Sequence, residues 1–121
     1  MARLETKFYN ELKRITPQIR WTRIENTSVL GTPDLLGYNS SGKFFTIELK
    51  IANGSKVRLS PHQISFHIRH PENTFILVKA KVACRLYLGK QVRELFACGL
   101  SLEPVACGWK DTRLWLESLG Q

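Results

Sequence analysis

Residues 34–51 constrain the fold of this chain more than any other segment. Two apolar runs, 34–38 and 43–51, flank the sequence Asn-Ser-Ser-Gly, which is typical of a β-hairpin loop. Side chains alternate between the two faces of a strand. One face of the second run therefore carries only apolar residues: Phe45, Ile47, Leu49 and Ile51. The other face carries Phe44, Thr46, Glu48 and Lys50, of which Glu48 and Lys50 are candidate site residues.

A second carboxylate lies at the entrance of the first run. Asp34 is one of only two aspartates in the chain, and a hairpin register in which paired residue numbers sum to 82 places it opposite Glu48. Cβ atoms of directly opposed residues are about 4.5–5.5 Å apart, so both carboxylates can reach one divalent cation. A slip of one residue would put them on opposite faces. Glu48 and Lys50 alone fit an ion pair on a solvated face; the nearby aspartate favours a site for a hard ion such as Mg²⁺.

The remaining elements follow from periodicity and capping signals. Leu4, Phe8, Leu12 and Ile15 predict a helix over 4–15 that ends before Pro17. Ser60-Pro61 is a helix-start signature for 61–69. Strands are predicted over 21–25, 74–81 and 83–88, and helices over 91–98 and 110–119. The order α-β-β-β-α-β-β-α-α predicts one α/β domain over 1–121 with a mixed central sheet flanked by helices.

Charge and composition point to a polyanionic partner. The chain has 121 residues and a formal charge of +8, and Glu72 is the only acid between Leu49 and Arg93. Nucleic acid is the favoured partner and a membrane is not expected, since no uncharged apolar run approaches about 20 residues. The first residues lack the apolar segment of a signal peptide. Three cysteines without C-x-x-C spacing predict small buried hydrophobes in a reducing, cytoplasmic, non-secreted setting.

Pro33-Asp34, thirteen intervening residues and Glu48-Leu49-Lys50 resemble the bipartite motif of the PD-(D/E)XK nuclease superfamily. Gly31-x-Pro33-Asp34 and Leu59-Ser60-Pro61-His62-Gln63 look like its VRR-NUC branch, and they are also similar to archaeal Holliday-junction resolvases. The resemblance covers roughly residues 4–78. It implies a restriction-endonuclease-like α-β-β-β-α-β core over about 4–80, with C-terminal additions over about 81–121.

The resemblance also implies roles for individual residues. Asp34 and Glu48 would bind Mg²⁺, for which Mn²⁺ can substitute, together with the backbone carbonyl of Leu49. Lys50 would orient or help deprotonate the attacking water. Glu5 would complete the site directly or through water, and Gln63 would support it. Each has an ordinary alternative, because Glu5 also suits the positive end of a helix dipole and Gln63 could be a solvated polar residue.

Basic and histidine residues after the third predicted strand form a candidate DNA-binding set. Its members are Lys56, Arg58, His62, His67, Arg69, Lys79 and Lys81. Zinc binding by the histidines is disfavoured, because their intervals fit no usual zinc pattern. The tryptophans are expected to pack in the core or against a second subunit.

These observations predict a Mg²⁺-dependent DNA endonuclease that selects branched DNA, as a Holliday-junction resolvase does. Symmetric cleavage of two strands predicts a homodimer, acting in a prokaryotic or virus-infected cell. The alternatives are a flap, nicking or homing-type nuclease on the same core, an RNA-processing enzyme, and a non-catalytic basic DNA-binding module whose acids are structural.

Overall fold

The computed structural model describes residues 4–24 and 30–121, which build one mixed sheet with helices on both faces. The helices are α1 (Leu4–Ile15), α2 (Pro61–Arg69), α3 (Val92–Cys98) and α4 (Trp109–Glu117). The strands are β1 (Arg20–Arg23), β2 (Leu35–Tyr38), β3 (Phe44–Ile51), β4 (Thr74–Lys79), β5 (Cys84–Leu88) and β6 (Ala106–Cys107). Short 3₁₀ turns precede and follow α3.

The strands lie in the sheet in the same order as in the chain, from β1 to β6. Strands β3 and β4 are parallel and are joined through α2, since a parallel pair requires a crossover connection. The other neighbouring pairs are antiparallel. The predicted α/β class with a mixed sheet and an α-β-β-β-α-β core is therefore confirmed. Strand β6 was not predicted.

The predicted hairpin register is confirmed. Leu35 pairs with Ile47 and Tyr38 pairs with Phe44, and both pairs of residue numbers sum to 82. The turn is held by Asn39, whose Oδ1 accepts hydrogen bonds from the backbone N–H groups of residues 41 and 43. The Nδ2 of Asn39 donates to the carbonyls of Leu116 and Leu119, at 3.0 and 2.9 Å. The buried Asn39 side chain therefore ties the exposed hairpin turn to the C-terminal end of α4 and the residues after it.

Each face of the sheet has its own apolar core. The first core contains residues of α1, α4 and the sheet, including Phe8, Leu12, Phe45, Ile47 and Leu116. The second core contains Val57, Leu59, Ile76, Tyr87 and Leu95. Because β3 alternates, Glu48 and Lys50 lie on the second face, which α2 flanks. The apolar face of β3, which the alternation predicted, packs in the first core with residues of α1.

Several local predictions differ from the structure. Leu4 is 62% exposed, so the buried stripe of α1 begins at Phe8. Cys84 is buried, but Cys98 and Cys107 are exposed, so the prediction that all three cysteines are buried is wrong for two of them. Strand β4 ends at Lys79 rather than at residue 81. Position 25, the predicted end of the first strand, lies outside the described residues. None of the helices in 4–24 and 30–121 is long and apolar enough to cross a bilayer.

Candidate active site

Two carboxylates converge where β2 begins beside β3. Asp34 directly precedes β2, and its Oδ2 accepts a hydrogen bond from the backbone N–H of Leu49 at 2.8 Å. Glu48 is 3% exposed and lies opposite Asp34 if the β2–β3 register continues by one pair. The hairpin thus places both acids on the face of the sheet that α2 flanks.

Glu48 is electrostatically unsatisfied in this position. Its Oε2 accepts a hydrogen bond from the Nε2 of Gln63 at 3.0 Å. Its Oε1 is buried and has no hydrogen-bond partner among the described residues. Burial, and then the charge of Asp34, raise the pKa of Glu48 to about 9, against the opposing effect of Lys50. A buried carboxyl group in this environment holds a proton near neutral pH unless a cation offsets its charge.

The residues present fit a hard divalent cation. The unpartnered Oε1 of Glu48 and the carboxylate of Asp34 are oxygen ligands of the kind that Mg²⁺ prefers. The next position in the register would pair Leu49 with Pro33, and proline has no N–H to donate to the carbonyl of Leu49. The described part of the chain brings together no cluster of three His, Cys, Asp or Glu side chains, so the candidate set is two carboxylates and a backbone carbonyl.

Lys50 and Gln63 are joined to Glu48 in one hydrogen-bonded chain. The Nζ of Lys50 donates to the Oε1 of Gln63 at 2.9 Å and lies 3.9 Å from the Oε2 of Glu48. The Oε1 of Gln63 also accepts from the backbone N–H of Ser60 at 3.0 Å, while the Oγ of Ser60 accepts from the backbone N–H of Gln63. Two donors on Oε1 fix the amide so that Nε2 faces Glu48. The Gln63 side chain is therefore bonded within the protein at both of its amide atoms, although the residue is partly exposed.

The reciprocal contact between Ser60 and Gln63 is a capping box, the S/T-x-x-E/Q signature of a helix start. The same glutamine side chain caps α2 and holds Lys50 and Glu48 in place. The sequence Ser-Pro-His-Gln carries this signal, and it ties Gln63 to the start of α2 without reference to any family.

Glu5 lies in the first turn of α1 and is exposed. Its charge adds the smallest of the contributions that raise the pKa of Glu48. It does not join Asp34 and Glu48 in a cluster of three metal-binding side chains, so the structure gives no support for direct coordination. A role through water remains the prediction for this residue.

The basic residues predicted to contact DNA separate into groups. Lys56 and Arg58 line a cleft of about 900 Å³ that also contains Lys50 and Gln63. The others do not line this cleft, although all except His67 are exposed: His62 and Arg69 on α2, Lys79 at the end of β4, and Lys81 after it.

His67 is fully buried, so including it among the DNA contacts was wrong. Its Nδ1 donates to the carbonyl of Gln63 at 2.8 Å, because a carbonyl only accepts. Its Nε2 is buried with no partner within the described ranges. A protonated ring at this position would be an unpaired buried charge.

The stability of the protein is expected to depend on pH through His67. Burial, with smaller contributions from the charges of His70 and Lys50, lowers the pKa of His67 below 6.5, so the unfolded chain binds a proton more readily. The contribution of His67 is complete above about pH 6.5 and is lost below it, at up to about 1.4 kcal/mol per pH unit.

Urea unfolding at pH 5.5 and 7.5 measures this effect as the difference between wild type and His67→Met, because the subtraction cancels other titrating groups, Glu48 included. The destabilisation caused by His67→Met should be smaller at pH 5.5 than at pH 7.5. Equal destabilisation by His67→Met at both pH values would contradict a lowered pKa for His67 in the folded protein.

Gly31 lets the segment before Asp34 approach α2 closely. Its φ is +85°, and a Cβ built there would lie 2.3 Å from the carbonyl oxygen of His62. Gly31→Ala is therefore expected to destabilise the fold and to displace Asp34, which lowers any cleavage rate. Gly54→Ala is a matched control, with φ +61° and nothing within 4 Å of the added Cβ.

Urea unfolding should show a loss for Gly31→Ala that exceeds that of Gly54→Ala by about 1–3 kcal/mol. Equal losses would mean that only backbone conformation matters at Gly31.

Comparisons with known proteins give a structural match. No family model matches the sequence, and no curated protein matches it. The solved structure of Hjc from Archaeoglobus fulgidus, a Holliday junction resolvase from an archaeal hyperthermophile, aligns with a TM-score of 0.56 over 74% of this chain and 77% of that chain. The two proteins share a fold. At 18% identity the likeness shows the fold alone, and no family or sequence match supports the VRR-NUC branch.

Proposed function

We propose that this protein is a Mg²⁺-dependent DNA endonuclease that hydrolyses phosphodiester bonds and selects branched DNA, as a Holliday-junction resolvase does. The observation that carries the proposal is the buried Glu48, which is linked through Gln63 to Lys50 and lies beside Asp34. The fold shared with Hjc supports it. The order of the residues supports it as well, because Asp34 directly precedes β2 while Glu48 and Lys50 lie on β3, as in the nuclease motif.

The side chains divide the work of hydrolysis. Asp34 and Glu48 would hold the cation together with the carbonyl of Leu49, and Mn²⁺ would serve in place of Mg²⁺. A bound Mg²⁺ supplies a more acidic water and stabilises negative charge on the phosphate. Lys50 would orient the attacking water or accept its proton and would offset the charge of the phosphate. Gln63 is a positioning residue, since it fixes both Lys50 and the Glu48 carboxylate.

The proposed assembly follows from the proposed substrate. A four-way junction presents two equivalent strands for cleavage, and two sites related by a two-fold axis would cut them symmetrically. We therefore expect a homodimer. Size-exclusion chromatography with light scattering tests this independently of activity, and a monomer at micromolar concentration would contradict symmetric cleavage by a stable dimer.

The test of function is a cleavage panel in Mg²⁺ or in EDTA. Its substrates are a four-way junction, a flap, a fork, a duplex, a single strand and an RNA of matched sequence. The proposal predicts cleavage in Mg²⁺, none in EDTA, and a preference for the junction. Equal cleavage of all the DNA substrates would contradict the proposed selectivity for branched DNA. Stronger cleavage of RNA would favour an RNA-processing enzyme. Binding without cleavage of any substrate in Mg²⁺ or Mn²⁺ would favour a non-catalytic module.

A further inference from the structure

The cleft beside the candidate site has a distinctive lining. Its volume is about 900 Å³, and its wall includes Lys50 and Gln63, so it opens directly onto the position that the scissile phosphate would occupy. Lys56 and Arg58 add two more cationic side chains, and none of the described residues that line the cleft is an Asp or a Glu. The cleft therefore suits an anionic ligand that extends from the site.

Phe96 gives the cleft an aromatic surface. Its neighbour Leu95 is fully buried in the second core, whereas Phe96 is 57% exposed and lines the cleft. The core therefore does not account for an aromatic residue at this position. A flat apolar ring beside three cations is the combination that single-stranded nucleic acid requires, with phosphates on the charges and a base stacked on the ring.

The walls of the cleft are tied together. The backbone N–H of Leu100 donates to the carbonyl of Ser55 at 2.8 Å. Gly99, just beyond α3, has φ +58°, and a Cβ there would lie 2.1 Å from the same carbonyl oxygen. Close backbone contact thus joins the loop carrying Lys56 and Arg58 to the end of the helix carrying Phe96. The cleft is preorganised, which lowers the entropic cost of binding.

We propose that this cleft holds an unpaired nucleotide next to the scissile phosphate, with its base stacked on Phe96 and its phosphates against Lys56 and Arg58. The inference rests on the proposed nuclease function and narrows its substrate to DNA with unpaired or easily unstacked nucleotides at the cut. A base inside a duplex would first have to leave its stack. The charge of the lining favours a nucleic acid over a second copy of this basic chain.

Binding of a single-stranded oligonucleotide tests the proposal without cleavage. Asp34→Asn serves as the background, and affinity for the single strand and for the duplex of the same sequence is measured by fluorescence anisotropy. Replacing Phe96 by alanine should weaken single-strand binding about five- to 150-fold, the range typical for loss of one stacked base, and should weaken duplex binding much less. Phe96→Trp should retain affinity, and Phe96→Leu should not.

Phe44→Ala is the matched control, since Phe44 is 58% exposed and lies outside the cleft; it should leave single-strand binding nearly unchanged. A single strand carrying 5-iodouracil should crosslink to the peptide that contains Phe96. Unchanged affinity for Phe96→Ala, or crosslinks only at other aromatic residues, would overturn the proposal. So would conversion of a dimer to a monomer by Phe96→Ala with single-strand affinity retained, which would assign Phe96 to a second copy.

This outcome is separable from that of the nuclease proposal. Wild type that cuts no substrate, combined with a Phe96-dependent crosslink, would refute catalysis and keep the nucleotide site. Cleavage of branched DNA without any dependence on Phe96 would keep the nuclease proposal and refute the nucleotide site.

Discussion

Asp34→Asn and Glu48→Gln are each expected to reduce DNA cleavage by about a thousandfold or more, because each removes a charged ligand from a site that contributes several kcal/mol to the transition state. The Asp34 carboxylate accepts a hydrogen bond from the N–H of Leu49, and the Glu48 carboxylate is buried against Gln63. Neither amide would reproduce the negative charge that is proposed to hold the cation. Single-turnover cleavage of a four-way junction measures the loss.

The chain offers a matched control for the first variant. Asp111, the other aspartate, is exposed on α4, and Asp111→Asn should cleave at the wild-type rate. Both site variants should still bind DNA. Both should also lack the rise in melting temperature that Mg²⁺ is expected to give the wild type. Cleavage within tenfold of wild type by either variant would contradict the assignment of these acids.

Lys50→Met is expected to lower the cleavage rate by about a hundred- to ten-thousandfold, the usual contribution of a positioned acid–base group, while metal binding persists. Lys50 is 19% exposed at its side chain, and its Nζ is held by the Oε1 of Gln63. A methionine fills the space without the ammonium group. Lys50→Arg should restore little of the cleavage rate, because a planar guanidinium group does not replace a compact ammonium group at a fixed position.

Lys90→Met removes an exposed lysine that does not line the cleft and is the control for net charge. The melting-temperature rise in Mg²⁺ should be the same for Lys50→Met and the wild type, which separates the role of Lys50 from the roles of Asp34 and Glu48. Loss of that rise together with activity would instead make Lys50 part of the cation site.

The elements that hold the candidate site were largely predictable from the sequence. Alternation in β3 separated Glu48 from the core-facing Ile47 and Leu49, and the four-residue turn fixed the register that brings Asp34 opposite Glu48. The Ser60-Pro61 pair located the start of α2 at the observed residue. These features depend on neighbours within a few residues or on one hairpin, so local rules are sufficient.

Features that depend on packing between distant elements were not predictable. His67 belongs to a polar helical face, and only the docking of α2 on the sheet buries it. Strand β6 has two residues, too few for an alternating pattern. The relation of Glu5 to the site depends on how α1 crosses the opposite face of the sheet. The exposure of Phe96 likewise depends on packing, because Leu95 rather than Phe96 is buried in the second core.

The proposed site residues from Asp34 to Gln63 lie within 30 consecutive residues, in one hairpin and one crossover connection. Phe96 lies later in the chain, on α3. The proposed catalytic residues in this range therefore lie on one uninterrupted segment of the chain. Change in α3 and its flanks would then alter which nucleic acid is accepted without disturbing bond cleavage. Substitutions in the second half of the chain could therefore change substrate preference. A mutant library aimed at substrate preference can begin with α3 and the residues beside it.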